Sequence, residues 1–220
     1  MLSLYARALD FYERRKPLVY GGAVVIVVLL LLIPGYIYYQ MQRGAEAQEH
    51  LSRIVTQYEQ GNYDVALDGT EDRLGLREIA DQFGGTDAGN MAAFYAANAL
   101  YEMGELDEAL AYFEQVREAS SLVGASALAG RAAIHEDRGE YAQAAELYSR
   151  AASIYDTGVS SPQHLLSAAR AFEEAGDYEE ALRVYEDLRE RYPEKRAADG
   201  IEVDIARMEA RIARAQRATS

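Results

Sequence analysis

The sequence predicts an all-α chain: an N-terminal single transmembrane helix, then a right-handed solenoid of helical hairpins, then a C-terminal capping helix. Three observations carry that expectation. Leu18 to Tyr39 form a stretch of 22 residues without a formal charge. A Gly-x-aromatic/Leu-x-x-Ala pattern recurs four times in the remainder. Beyond Pro193, Ile201, Ile205, Met208 and Ile212 fall at i, i+4, i+7 and i+11, the stripe of one helix face. The chain has 220 residues and a net charge of −14, which argues against a general nucleic-acid binder. It has no cysteine, which excludes disulfides, Cys-ligated metals and thiol nucleophiles.

In residues 1–16, Leu2, Tyr5, Leu9 and Tyr12 recur at helical spacing. That suits an amphipathic helix on the cytoplasmic leaflet, or else a polar tail with incidental apolar residues. The segment 17–39 is long enough to cross the roughly 30 Å hydrocarbon core, with Tyr20 near one end and Tyr36, Tyr38 and Tyr39 at the other. Pro34-Gly35 is a candidate kink. The one A-x-A-like cleavage site, Ala45-Glu46-Ala47, lies well beyond the Val/Leu run, which favours an uncleaved anchor over a signal peptide. Arg7, Arg14, Arg15 and Lys16 precede the span, against Arg43 and Arg53 after it, which favours a cytoplasmic N-terminus. In a bacterium, residues beyond Tyr39 would then be periplasmic. Residues 1–43 carry five cations and two acids, net +3, which leaves −17 for residues 44–220. The two lysines accompany 20 arginines, a skew that genome composition or a salty habitat could each produce.

The repeated pattern reads Gly61/Tyr63/Ala66, Gly104/Leu106/Ala109, Gly139/Tyr141/Ala144 and Gly176/Tyr178/Ala181, spaced by 43, 35 and 37 residues. Average composition would give on the order of 0.2 such matches by chance. In each unit the Gly closes a first helix in the left-handed conformation. The aromatic or Leu fills the gap between paired helices, and the Ala lets the second helix approach closely. Phe113, Tyr148 and Tyr185 follow four residues after the Ala, while Ala97, Ala132 and Ala169 precede the Gly by seven. Ile54 and Thr70 hold those places in the first unit, which is therefore degenerate. An insertion near 70–90 accounts for the longest spacing. Within it Leu76, Ile79, Ala80 and Phe83 predict an extra helix.

This pattern resembles the tetratricopeptide repeat (TPR), a helix–turn–helix unit of about 34 residues. The resemblance covers about 48–193, with Pro193 at the family's terminal proline and His50, Ala93, Leu128 and Leu165 at its tryptophan position. The domains expected are a cytoplasmic segment 1–16, a transmembrane helix 17–39, a TPR domain 40–193 of about four hairpins, and a capping helix 194–220. An anchored TPR body of this kind is similar to the bacterial ancillary SecYEG translocon subunit and, in its TPR module, to the cell-division coordinator proteins. The resemblance implies a membrane-tethered protein–protein interaction module in the inner membrane, assisting secretion or periplasmic folding. Its partners would be the SecYEG translocon, secreted chains or periplasmic chaperones, besides the lipid bilayer. The alternative is a structural scaffold or assembly factor of an envelope complex, with Gly21-Gly22 and the tyrosines of the span packing on partner helices.

The family's groove positions map to Leu51 and Tyr58 in unit one and to Phe94, Asn98 and Tyr101 in unit two. Unit three supplies Ala129, Ala133 and Glu136; unit four supplies Leu166, Arg170 and Glu173. Asn98 and Arg170 are of the side-chain types that grip a peptide backbone or terminus. The basic tripod of carboxylate-clamp TPRs is missing.

No residues point to catalysis, a cofactor or a metal. Gly84-Gly85-Thr86-Asp87-Ala88-Gly89 has the frame of a phosphate loop, but Asn90-Met91 stand where Lys-Ser/Thr are required. It reads as an interhelical loop with Thr86 or Asp87 as N-cap. His50, His135 and His164 are isolated from one another, and the first two occupy packing positions. Glu102, Glu105, Asp107 and Glu108 read as solvated acids flanking a turn.

Overall fold

Glycines in the left-handed conformation punctuate the helices of this chain. The structure, a computed structural model, describes the backbone of residues 16–193 and 200–218, and their side chains except at 17–27, 29 and 218. The amphipathic segment expected before the span therefore lies outside the described residues, apart from Lys16. Contacts divide the chain into two units, 1–46 and 47–220.

In the first unit, helix α1 (Lys16–Glu59) begins and passes through Pro34 without a break. Its described apolar side chains are open: Leu30, Leu31, Leu32, Ile33 and Tyr36 are each more than 50% exposed. Among the described residues no helix is long and apolar enough to cross a membrane. The first half of the expected span falls on side chains outside the described residues.

The second unit begins within α1 at Ala47 and continues with α2 (Tyr63–Asp68), β1 (Gly69–Thr70), β2 (Arg73–Leu74) and α3 (Leu76–Phe83). Then come α4 (Asp87–Glu102), α5 (Leu106–Gln115), α6 (Leu122–Asp137), α7 (Tyr141–Ile154), α8 (Ser161–Ala175), α9 (Tyr178–Arg191) and α10 (Ile201–Ala218). Gly61, Gly104, Gly139 and Gly176 take φ of 75°, 81°, 73° and 82°. In each turn the Gly N–H donates to the carbonyl three residues back and the next N–H to the carbonyl five before it, at 2.8–3.0 Å. That is the Schellman closure, made four times. The residue after each Gly accepts the first helical bond of the next helix, and the donor is the repeat's Ala: Ala66, Ala109, Ala144 or Ala181. All four alanines are 0% exposed, so any larger side chain would meet the neighbouring helix. The outcome is three full hairpins, α4/α5, α6/α7 and α8/α9, each opening where the glycine pattern placed it.

The first unit of the repeat departs from this plan. Its second helix, α2, stops after six residues, and an antiparallel ribbon pairs Gly69 with Leu74 and Thr70 with Arg73. Gly69 makes the reversal possible: φ is +77°, and a Cβ there would lie 2.3 Å from the Arg73 carbonyl oxygen. The sequence reading held no strand at this point. The extra helix expected in the insertion is present as α3, with Leu76, Ile79, Ala80 and Phe83 all buried.

The core forms two apolar clusters, and α6 serves both. Ala127 and Ile134 join the cluster around Ile54, Leu100 and Phe113, while Leu128 and Ala132 join the one around Tyr148, Tyr185 and Met208. A helix buried on two faces is what stacking of hairpins requires, since one pair alone leaves an apolar face in water. At the far end, Ile201, Ile205 and Met208 of α10 are buried against α9, and Ile212 is half-buried.

Candidate partner-binding groove

The first helix of each hairpin carries the predicted groove residues, and the structure divides them into three groups. Leu51 and Leu166 are only 5% and 9% exposed and belong to the two apolar clusters, so their side chains pack inward. Tyr58 and Phe94 are half-buried aromatics in one chain of rings. Between ring centroids, Tyr58 lies 4.9 Å from Tyr95 and 5.8 Å from Tyr63; Phe94 lies 6.2 Å from Tyr95 and 6.2 Å from Phe113, the latter pair edge-on. Burial, with Tyr63, Tyr95 and Glu102 nearby, pushes the Tyr58 hydroxyl pKa above its ordinary value.

The third group is polar, and most of it is spoken for. Asn98 Nδ2 donates to the Phe94 carbonyl of its own helix at 2.7 Å, so this donor is bound locally. The Tyr101 hydroxyl donates to Asp137 Oδ2 at 2.9 Å, joining α4 to α6. Glu136 accepts from the Tyr148 hydroxyl at 2.9 Å; burial and then that carboxylate hold the Tyr148 pKa well above the usual range. Glu173 accepts from Arg207 Nε at 3.0 Å and from its Nη2 at 2.8 Å, a fork that ties α8 to α10. Ala129 and Ala133 are half-buried on α6, and Arg170 is exposed on α8 with no ion pair among the described residues. The three helices therefore present a surface whose polar side chains mostly brace one helix against the next.

Sequence reasoning missed the bracing partners Asp137, Tyr148 and Arg207. The signal was there: Tyr101 and Asp137 are 36 residues apart and Glu173 and Arg207 are 34 apart, about one repeat. Two acids read as merely solvated also have partners. Asp107 pairs with Arg138, and Glu108 with Arg77 at 2.9 Å.

The remaining candidates for chemistry resolve into structure. Thr86 caps α4, its Oγ1 accepting from the Gly89 N–H at 3.0 Å and donating to the Phe83 carbonyl at 2.8 Å. Gly89 is required for close approach, because a Cβ there would lie 2.0 Å from the Phe83 carbonyl oxygen. The His50 ring lies 5.9 Å from that of Phe83, and His135 Nδ1 lies 2.5 Å from Glu140 Oε2. His164 is half-buried, and burial pushes its pKa below the ordinary value. Among the described residues no three of His, Asp and Glu gather as a metal site.

Two tetratricopeptide-repeat family profiles match the chain, one over residues 95–159 and one over 165–195. They fall on α4–α7 and α8–α9, the full hairpins. These hairpins match tetratricopeptide repeats. Its backbone is similar to crystal structures of nearly identical TPR-like repeats from a Podosopora anserina putative kinesin light chain. One superposes with a TM-score of 0.55 at 16% identity, covering 80% of this chain and 91% of that one. A single-substitution form of the same repeats gives 0.52 at 18% identity, with 77% and 91% covered. At such identity the likeness concerns the fold alone. No curated protein matches the chain. The resemblance to translocon-associated TPR proteins thus has support for the repeats and none for the named role.

Proposed function

We propose that this chain is a membrane-tethered interaction module that receives an extended or amphipathic protein segment on the face formed by α4, α6 and α8. TPR hairpins generally bind proteins or peptides, and the observation that carries this reading is the bracing of that face. Tyr101–Asp137 links neighbouring first helices, and Glu136–Tyr148 fixes α6 against α7. A face held in place before binding loses little entropy when a partner docks. The half-buried Tyr58, Phe94 and Tyr101 supply aromatic contact area of the sort that dominates interface energetics. A photo-crosslinker at Ala133 should capture a defined partner that one at Glu146 on α7 does not. Equal capture from both positions would remove the groove from the proposal.

The tether rests on the uncharged run from Leu18 to Tyr39 and on the open apolar side chains from Leu30 to Tyr39, a surface that water does not favour. The bacterial inner membrane, a cytoplasmic N-terminus and a periplasmic TPR body are part of the same proposal, supported by the flanking cations. A role beside the secretion machinery is its furthest extension. Alkaline carbonate should leave the full chain in the membrane pellet, and protease added to spheroplasts should digest the repeats. Release by carbonate would end the tether proposal, and protection in intact spheroplasts would reverse the orientation.

A further inference from the structure

The strongest local departure from the acidic character of the body lies on its last helix. Arg207, Ala210, Arg211, Arg214 and Ala215 of α10 and Tyr178 of α9 line a cavity of about 430 Å³. The three arginines stand at i, i+4 and i+7, so they share one face. Arg207 is neutralised by Glu173 and Asp204, each at 2.8 Å. Arg211 is held by Tyr178: its guanidinium carbon sits 5.2 Å from the ring centroid, and Nη1 donates to the phenol oxygen at 3.2 Å. Neither Arg211 nor Arg214 has a carboxylate paired to it among the described residues, although the chain carries 36 Asp and Glu. Elsewhere in this body Arg53, Arg77, Arg117, Arg131, Arg138, Arg150, Arg183, Arg189 and Arg191 are each paired with an acid, while Arg170 and Arg217 have no ion pair among the described residues and line no cavity with a second such arginine.

We infer that the Tyr178/Arg211/Arg214 cavity is a second docking site, which takes a short acidic segment of a partner protein. The occupant follows from charge and size. Two guanidinium groups, one of them pre-oriented by an aromatic ring, offer forked donors to carboxylates. Arg211 and Arg214 have Cβ atoms roughly 5–6 Å apart. Alternate residues of an extended peptide advance by about 6.6 Å, so one carboxylate can meet each arginine. Ala210, Ala215 and the Tyr178 ring provide the apolar wall for the intervening side chain. A nucleic acid or an anionic bilayer would bring a long run of negative charge against a body of net −17, whereas two or three carboxylates meet the local cations alone. The site lies outside the predicted groove positions and stands whether or not that groove is used.

The test is fluorescence anisotropy of the full-length protein with a labelled hexapeptide of alternating glutamate and leucine. Its glutamine/leucine counterpart and a labelled single-stranded oligonucleotide serve as comparison probes. The acidic peptide should bind, weaken as salt is raised, and lose at least about tenfold in affinity in the Arg211→Gln/Arg214→Gln variant. Tyr101→Ala should leave that affinity unchanged, because it alters only the groove. Both arginines are exposed, so the double variant should melt like the parent; Arg214→Gln alone should still weaken binding several-fold. Equal affinity for the glutamine peptide, preference for the oligonucleotide, or full binding by the double variant would each overturn the assignment.

Discussion

Gly130 is the position at which a single methyl group should reveal how tightly the hairpins are stacked. It lies within α6, and a Cβ built there would come 2.3 Å from Phe113 Cζ, 2.6 Å from Cε1 and 2.7 Å from Cε2. Ordinary carbon–carbon contact needs about 3.5–4.0 Å, so the ring must retreat by more than about 1 Å. It has little room: Phe113 is 2% exposed and meets Phe94 edge-on at 6.2 Å. Overpacking of this kind costs about 1–3 kcal/mol, and a hemmed-in ring argues for the upper half. Replacing a mid-helix Gly by Ala returns roughly 1 kcal/mol through backbone entropy. The expected net effect of Gly130→Ala is a loss of about 1–2 kcal/mol, or roughly 3–6 °C in melting temperature for a body of this size. Phe113→Leu removes the atoms that clash. In the double variant the two substitutions should therefore couple favourably by at least about 1 kcal/mol. Thermal and urea melts of all four proteins close the cycle. If Gly130→Ala instead melts higher, and its effect adds simply to that of Phe113→Leu, the proposed contact does not exist.

Three further outcomes follow from the same packing. Ala144→Leu and Ala181→Leu should each destabilise the protein by about 1–3 kcal/mol, since both alanines are 0% exposed at the start of a second helix; unchanged urea midpoints would remove them from the close contact. Thr86→Ala should cost about 1–2 kcal/mol by leaving the Gly89 N–H without its cap, a loss that Thr86→Ser should largely restore. In alkali, burial with Asp204 and Glu173 nearby pushes the Tyr185 pKa up to about 12, against roughly 10 in the unfolded chain. The folded state thus keeps a proton that the unfolded state releases, so stability is intact below about pH 10 and falls as pH rises toward about 12. Tyr185→Phe should flatten that fall and cost nothing at neutral pH, because the buried hydroxyl has no hydrogen-bond partner among the described residues; an undiminished slope would assign the alkaline loss to other tyrosines.

The hairpins were legible because their signals are local. A glycine at positive φ, an alanine five residues later and an aromatic four beyond it are all fixed within one turn and its flanking helices. The helix α3 was legible for the same reason, as one apolar stripe over eight residues. The ribbon was not, because nothing in Gly-Thr-Glu-Asp-Arg-Leu alternates over enough residues to announce a strand. Only the positive φ of Gly69 and its contact with the Arg73 carbonyl create it. Gly130 was hidden likewise: its necessity comes from Phe113, which lies on the preceding hairpin. For the groove, the positions carried over from the TPR resemblance could not tell a side chain that awaits a partner from one that already has one, as Tyr101 and Glu136 do in Asp137 and Tyr148. Leu51 and Leu166 show the limit, since adjacent positions on a helix buried from two sides differ little in pattern.

The skew of 20 arginines to two lysines acquires a physical component once the repeats are stacked. Arg77 reaches Asp68 at 2.5 Å and Glu108 at 2.9 Å, and so joins α2 to α5. Arg191 reaches Asp187 on its own helix α9 and Asp156 in the loop before α8, both at 2.8 Å. Arg207 joins Glu173 to Asp204 in the same way. In each case one planar guanidinium directs its N–H groups at two carboxylates held by different segments, a geometry that a lysine ammonium does not pre-organise. Such pairs are partly exposed, and each contributes about 0–1 kcal/mol, so they do not explain why the chain folds. Their effect is on register. A hairpin that slid by one turn along its neighbour would part these pairs as well as contacts such as that of Phe113 with Gly130. A slide of α4/α5 would break the Arg77–Glu108 arm, and a slide of α8/α9 against α10 would break the Arg207–Glu173 arm. The alanines permit close stacking, the large core residues fill it, and the forked arginines add to its register preference.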